Sequence, residues 1–455
     1  MVAPHPEPTE AATLAQEAWD YCITPLLPVD EIRAGGLHIY KSGEGVRLTD
    51  YDGNTWLDMM SSHTRANSLG YGNAEIAQAV ADQLSTLHYV GTVSNFAEPT
   101  IRLAKRIAEK APGDLSRVLF TSGGSEAVEA ALKMAKQYQV QSSNKPRAYK
   151  VISRWNAYHG ATMGAMSATD WLNIRPMSEP TVPGVSFVPG PMNYRNPFGM
   201  SDEQYADHCA TALEQQILHE GPELVAAVIA EPVMQAHGVQ IAPTSYFQRL
   251  REICDKYGVL WIDDEVITGF GRTGNWFAIE RAGVVPDIMT FAKALTAGYA
   301  PMGGFITTPA IADALTAFRH VHTFSGHAGA AAAANTAITI KERDNLIEAS
   351  RTNGAYFLDA LQEVLEPLPI VGQVRGIGMW LAVDFTKDQQ TREPFADDTV
   401  PAVVKRMHDY GVIASPIGTS FEMAPPLITN RSDLDDVAKI AERSIREIAR
   451  ERGYL

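Results

Sequence analysis

Between about residues 71 and 320 the chain switches back and forth between two periodicities, and this constrains its fold more than any other feature. Segments such as NAEIAQAVADQLSTL and EPTIRLAKRIAEKA carry apolar residues at three- and four-residue spacing. RVLFTS, YKVISR, VAAVIAEPV, GVLWIDDEV and DIMTFAK are instead short apolar runs rich in β-branched and aromatic side chains. Apolar runs of that kind, joined through helices, read as parallel strands buried on both faces. The pattern predicts an α/β fold: a large, mostly parallel sheet with helices on both sides.

The flanks read differently. The first thirty or so residues are polar with scattered prolines and read as an arm, and GVRLTDYDGNTWLDM reads as a hairpin whose Asp-Gly turn separates two alternating runs. After a helical stretch around residues 328–365 come IVGQVRGIGMWLAVDF, VPAVVKRMHDYGVIAS and a closing amphipathic helix, DLDDVAKIAERSIREIARER. We expect an arm and hairpin over 1–70 that belong to a small domain, a large domain over 71–325, and a smaller α+β domain over 326–455.

Composition narrows the function. A formal charge of −15 with no Lys/Arg cluster argues against nucleic acid and against an anionic membrane surface. Cys22, Cys209 and Cys254 stand apart with no zinc-like spacing, which points to a reducing compartment. MVAPHPEPTEAAT lacks the basic start and apolar core of a signal peptide, and AGAAAAANTAITI is too short and too weakly apolar to span a bilayer. The expected location is the cytoplasm.

In open α/β sheets ligands gather beyond the carboxyl ends of strands. RVLF is followed by TSGGSE, a glycine turn into a helix whose free amides suit an anion; Gly124 and Ser125 are the candidate cradle. YKVISRW is followed by NAYHGATMG, GVLWI by DDEVITGFGRTG, and DIMTFA directly by Lys293. A cofactor with a phosphate, an aromatic ring and a reactive aldehyde needs this inventory: Gly124 and Ser125 for the phosphate, Tyr158 and Val266 for the ring faces, Asp264 to keep a ring nitrogen protonated, and Lys293 for a Schiff base. Pyridoxal 5'-phosphate is such a cofactor. His159 reads as a core histidine. Asp263, Asp264 and Glu265, with His320 and His322, could be taken for metal ligands, but no further ligand has suitable spacing and no metal is expected.

TSGGSEAVEAALKMAK, NAYHGATMGAMSAT, AEPVMQAHGV, WIDDEVITGFGRTG, FAKALTAGYAPMGG, HTFSGHA and the late VRGIG and APPL segments together resemble the class III pyridoxal-phosphate aminotransferases over almost the whole chain. The resemblance implies the aspartate-aminotransferase-like architecture called fold type I. It implies that Lys293 is the Schiff-base lysine, that Asp264 pairs with the pyridinium, that Gly124 and Ser125 bind the phosphate, and that Tyr158 and Val266 enclose the ring. It also implies a homodimer with shared sites, in which Thr323 reaches the phosphate of the neighbouring subunit. The implied activity is ping-pong transfer of an amino group between an amine or amino acid and a 2-oxo acid. A racemase or aminomutase on the same scaffold is the alternative.

The chain departs from several relatives. Branches acting on ornithine, acetylornithine and 4-aminobutyrate commonly have arginine and glutamine where this chain has Ala161 and Ile267. It is similar instead to the branch acting on ω-amino acids and amines, often with pyruvate. That branch frequently places a mobile arginine at the position of Ser415, so Arg65, in MSSHTRANSLGYG, is the expected partner of a substrate carboxylate.

Overall fold

The computed structural model describes residues 9–26, 28–142, 145–171 and 174–455. Its centre is a seven-stranded sheet in the spatial order Arg117–Thr121, Gly303–Thr307, Ile288–Phe291, Leu260–Asp264, Val225–Ala230, Lys150–Arg154, Val185–Val188. Gly303–Thr307 runs antiparallel to both neighbours and every other pairing is parallel. The interior strands are buried along their whole length, as their unbroken apolar runs require. Two strands of this sheet, Val185–Val188 and Gly303–Thr307, are not among the runs expected from the sequence.

Helices cover both faces. Gly124–Gln141 buries Ala127, Val128, Ala130, Ala131, Met134 and Ala135 on one side. Asp202–Glu220 and Thr244–Tyr257 pack through Leu213, Ile217, Phe247 and Leu250 on the other. Ser201 and Gln204 form a reciprocal cap at the start of the first of these two helices, satisfying amides that would otherwise be unpaired.

The hairpin forms with Arg47–Asp50 antiparallel to Thr55–Asp58, and Gly53 takes the left-handed turn position (φ 85°). Val412–Ile413 then adds in parallel to Thr55–Asp58, in register Leu57↔Val412, so the two ends of the chain share one sheet. Residues 371–423 contribute a second, antiparallel sheet of four strands, Val371–Gly376, Leu381–Phe385, Ser420–Met423 and Ser415–Ile417. The closing helix, Arg431–Glu451, packs Leu434, Val437, Ala441 and Ile445 into a core shared with Phe357, Leu361 and Phe421. No helix of the described residues is long and apolar enough to cross a membrane.

Candidate active site

Gly124, Ser125, Tyr158, Asp264, Val266 and Lys293 come from four strand ends and line one cavity of about 130 Å³, together with His159, Gly160, Glu231, Val233, Ile267 and Thr268. At one end the helix Gly124–Gln141 begins with no side chain capping it, so its first amides face the cavity. A β-carbon on Gly124 would lie 2.7 Å from Val266 Cγ1, so a larger residue cannot enter this cradle without moving its wall. Ser125 Oγ accepts a hydrogen bond from the Ala161 amide at 3.1 Å, which ties the loop bearing Tyr158 to the helix start.

At the opposite end Asp264 is held from three sides. Its Oδ1 accepts from Thr290 Oγ1 at 3.0 Å and from the Val266 amide at 3.1 Å, and its Oδ2 lies 2.7 Å from His159 Nδ1. His159 is buried, and its Nε2 has no partner among the described residues. Its neighbours in the Asp-Asp-Glu triplet face elsewhere. Asp263 is fully buried with neither oxygen hydrogen-bonded among the described residues, and burial, with the charges of Glu265 and Asp264 adding, holds its carboxyl well above the usual range. Glu265 accepts from the Ile279 amide at 2.8 Å and from the Thr268 hydroxyl, and burial pushes it up to about 7. The triplet therefore presents one carboxylate to the cavity. Among the described residues no group of three or more His, Cys, Asp or Glu side chains could hold a metal ion.

Lys293 follows the strand Ile288–Phe291 in a left-handed conformation (φ 42°), a strained position for a residue with a side chain. Beneath it the buried Lys341 donates to the Ala294 carbonyl, fixing the turn from behind. The Lys293 amine makes no hydrogen bond or ion pair among the described residues, and burial, with the charge of Arg65 adding and those of Asp264 and Glu231 opposing, pushes it down to about 7. It is therefore available as a free base near neutrality. Glu231 is pushed above its ordinary range by burial, opposed by the charges of His159 and Arg154; it accepts from the Tyr158 amide at 3.3 Å and meets Arg154 at 3.2 Å.

An anion cradle, a fixed carboxylate and a free amine, between a valine and a tyrosine, are the donor set a phosphorylated pyridine aldehyde requires. The comparisons with known proteins agree. The family model for class III aminotransferases matches residues 33–445. The chain belongs to the class III aminotransferases. It is 36% identical over 436 residues to a putrescine–pyruvate aminotransferase of Pseudomonas aeruginosa, covering 94% of this chain and 95% of that one. It is 35% identical over 432 residues to a taurine–pyruvate aminotransferase of Bilophila wadsworthia, covering 91% and 93%. An (S)-enantioselective omega-transaminase from Thermomicrobium roseum superposes with a TM-score of 0.93 at 36% identity, over 97% of this chain and all of that one. The cofactor of class III aminotransferases is pyridoxal 5'-phosphate, and the architecture is that of fold type I.

Two of the expected residues stand apart from the aminotransferase cavity. Thr323 is exposed and does not line it within one chain; its carbonyl accepts from the Tyr89 hydroxyl. Arg65 is buried near Lys293 and Tyr158 but is already paired with Glu422, through Nε at 3.3 Å and through a terminal nitrogen. Not expected from the sequence are the lining residues Gly160, Glu231, Val233 and Thr268, the contact of His159 with Asp264, and Glu422 against Arg65. Glu231 follows directly on a buried strand, the same signal that singled out Lys293. A larger cavity, of about 370 Å³, lies beside Tyr194 and Arg375, where Arg375 is tied to Asp384 at 3.0 Å.

Proposed function

We propose that this chain transfers amino groups by a ping-pong mechanism between an amine or ω-amino acid and a 2-oxo acid, pyruvate foremost. The observation that carries the reading is the Lys293 amine, buried without a hydrogen bond or ion pair among the described residues and sharing a cavity with Asp264. Pyridoxal phosphate, when bound, supplies an electron sink that makes the proton on the amine-bearing carbon removable. Lys293 would hold the cofactor and would then take and return that proton at Nζ, as an amine that burial pushes down to about 7. Asp264 keeps a proton on the ring nitrogen, and His159 and Thr290 keep Asp264 aimed. Gly124 and Ser125 hold the phosphate, and Tyr158 and Val266 enclose the ring. In this reading residues 71–325 form the cofactor domain, and 1–70 with 326–455 the small domain.

Thr323 acts in a second copy. Its exposure outside the cavity of its own chain, between exposed Val321 and Phe324, supports a homodimer in which this segment closes the phosphate end of the neighbouring site. The two relatives named for pyruvate support the acceptor.

The test is incubation with an amine alone, followed by cofactor absorbance. Stoichiometric conversion to the amino form of the cofactor is expected for the wild type and none for Lys293→Ala, and borohydride reduction with peptide mapping should label Lys293. Unchanged absorbance with inversion or rearrangement of the substrate would point to an isomerase.

A further inference from the structure

Behind the Val233 and Ile267 wall of the site lies a carboxylate that the cofactor does not need. Val233 and Ile267 line the cavity and pack with Trp380, Ala382 and Ala424. Trp380 Nε1 donates to Glu422 Oε2 at 2.8 Å. Glu422 is fully buried in the strand Ser420–Met423, opposite Ala382 on one neighbour and Ser415 on the other. Its only cation among the described residues is Arg65. That side chain comes from the turn Ser61–Arg65, in which Ser61, Ser62, His63 and Arg65 all take left-handed backbone conformations (φ 47°, 65°, 58° and 64°). Beyond Glu422, the guanidinium has one long contact, 3.4 Å to the His63 carbonyl. The turn packs against residues 293–295, which carry the reactive lysine.

The two partners of this pair are unequally held. Glu422 is locked in a sheet and bonded to an indole; Arg65 sits on a strained turn. A buried carboxylate left without a cation is strongly destabilising, so whatever moves Arg65 aside must bring positive charge to Glu422. We propose that Glu422 is a specificity-determining residue that receives the remote ammonium of a diamine or diamino acid, and that Arg65 fills this place when no such substrate is bound. A neutral tail gives Glu422 nothing in exchange for Arg65. A carboxylate tail reaching Arg65 meets Glu422, which cannot leave.

The inference rests on the aminotransferase reading with an amine donor, and the experiment separates the two. The cofactor-loaded enzyme is mixed with α,ω-diamines of increasing length, 1,4-diaminobutane among them, and with monoamines of equal length, and the half-reaction is followed by cofactor absorbance. At the best length the diamine should exceed its monoamine in kcat/KM by about 10- to 100-fold, the worth of one charge-assisted contact. In Glu422→Gln that ratio should fall to about one, and in Arg65→Met, where the competing cation is gone, it should rise. Calorimetric titration of the enzyme in its amino-cofactor form, which cannot react with amines, should show the same ordering in binding. Diamine selectivity absent at every length, selectivity that survives Glu422→Gln, or a preference for acid-tailed donors that Arg65→Met abolishes would each overturn the proposal. If no amine changes the absorbance, the donor reading fails, and the calorimetric comparison alone still decides the role of Glu422.

Discussion

Asp264 and Glu422 are buried carboxylates, one lining the cavity and one bonded to Trp380 behind its wall, and they are held in opposite ways. Asp264 is fixed by a threonine on the adjacent strand, by a backbone amide two residues on and by a histidine packed beneath the tyrosine loop. Thr290 is carried by the sheet itself and the Val266 amide by the turn that leaves it. Glu422 is fixed on one side by Trp380, but its charge is met by a guanidinium on a left-handed turn. A cofactor retained through every turnover suits the first arrangement, and a substrate that arrives and departs suits the second. The difference teaches that the rigidity of a charged group can be read from what its partners are attached to.

The sharpest way to break that comparison is a double-mutant cycle on the exchangeable pair. Arg65→Met should destabilise the enzyme by about 3–5 kcal/mol in denaturant unfolding, because it leaves Glu422 buried without a cation. Adding Glu422→Gln, which keeps an acceptor for Trp380, should recover part of that loss. Additive effects would mean the two charges are not coupled, and the contrast with Asp264 would collapse.

The fixed end is tested next by Asp264→Asn against Asp263→Asn. The first should lower kcat/KM by about a hundredfold or more, since it removes an anion that stabilises developing charge. The second replaces a carboxyl that does not line the cavity and that burial pushes above its ordinary range, and should cost only a few-fold. Equal losses would show that charge at Asp264 is not what matters.

The smallest effect concerns the buried Lys341 beneath the reactive turn, pushed down to about 7 by burial with the charge of Arg272 adding. Between that value and the ordinary lysine value of about 10.4 the unfolded chain binds one more proton than the native one. Its contribution therefore makes stability rise with pH through this window, by up to about 1.4 kcal/mol per pH unit, and stay level below it. Lys341→Met should flatten the pH dependence of unfolding free energy by that slope. An unchanged slope would mean that Lys341 keeps its proton in the native state.

The same contrast explains what could be read from the sequence. Gly124, Ser125, Tyr158, Asp264, Val266 and Lys293 each follow a strand within a short contiguous motif, so local pattern locates them, and the structure gathers all six round one cavity. His159 lies in one of those motifs, but its partner Asp264 is 105 residues away, and nothing local separates it from a core histidine. Arg65 was expected to meet a substrate carboxylate; the charge that meets it in the structure was not legible, because Glu422 sits inside an apolar strand 357 residues further on. The strand Gly303–Thr307 was hidden by the glycines it needs: a β-carbon on Gly303 would lie 2.7 Å from the Gly123 carbonyl oxygen. Val185–Val188 is only four residues long, between a glycine and a proline-glycine pair, and gives too short a run to register.

The hairpin near the start of the chain is completed by Val412–Ile413, and Arg65 waits for a partner 357 residues later. On a ribosome adding about 5–20 residues per second, the nascent hairpin and turn spend roughly 20–70 s without those partners. The large sheet has all its strands by residue 307, so during translation the cofactor half can take shape well before the substrate wall exists. The short strands that precede the turn, Arg47–Asp50 and Thr55–Asp58, carry the charged residues Arg47, Asp50 and Asp58, which disfavour edge-to-edge pairing with other chains during that interval.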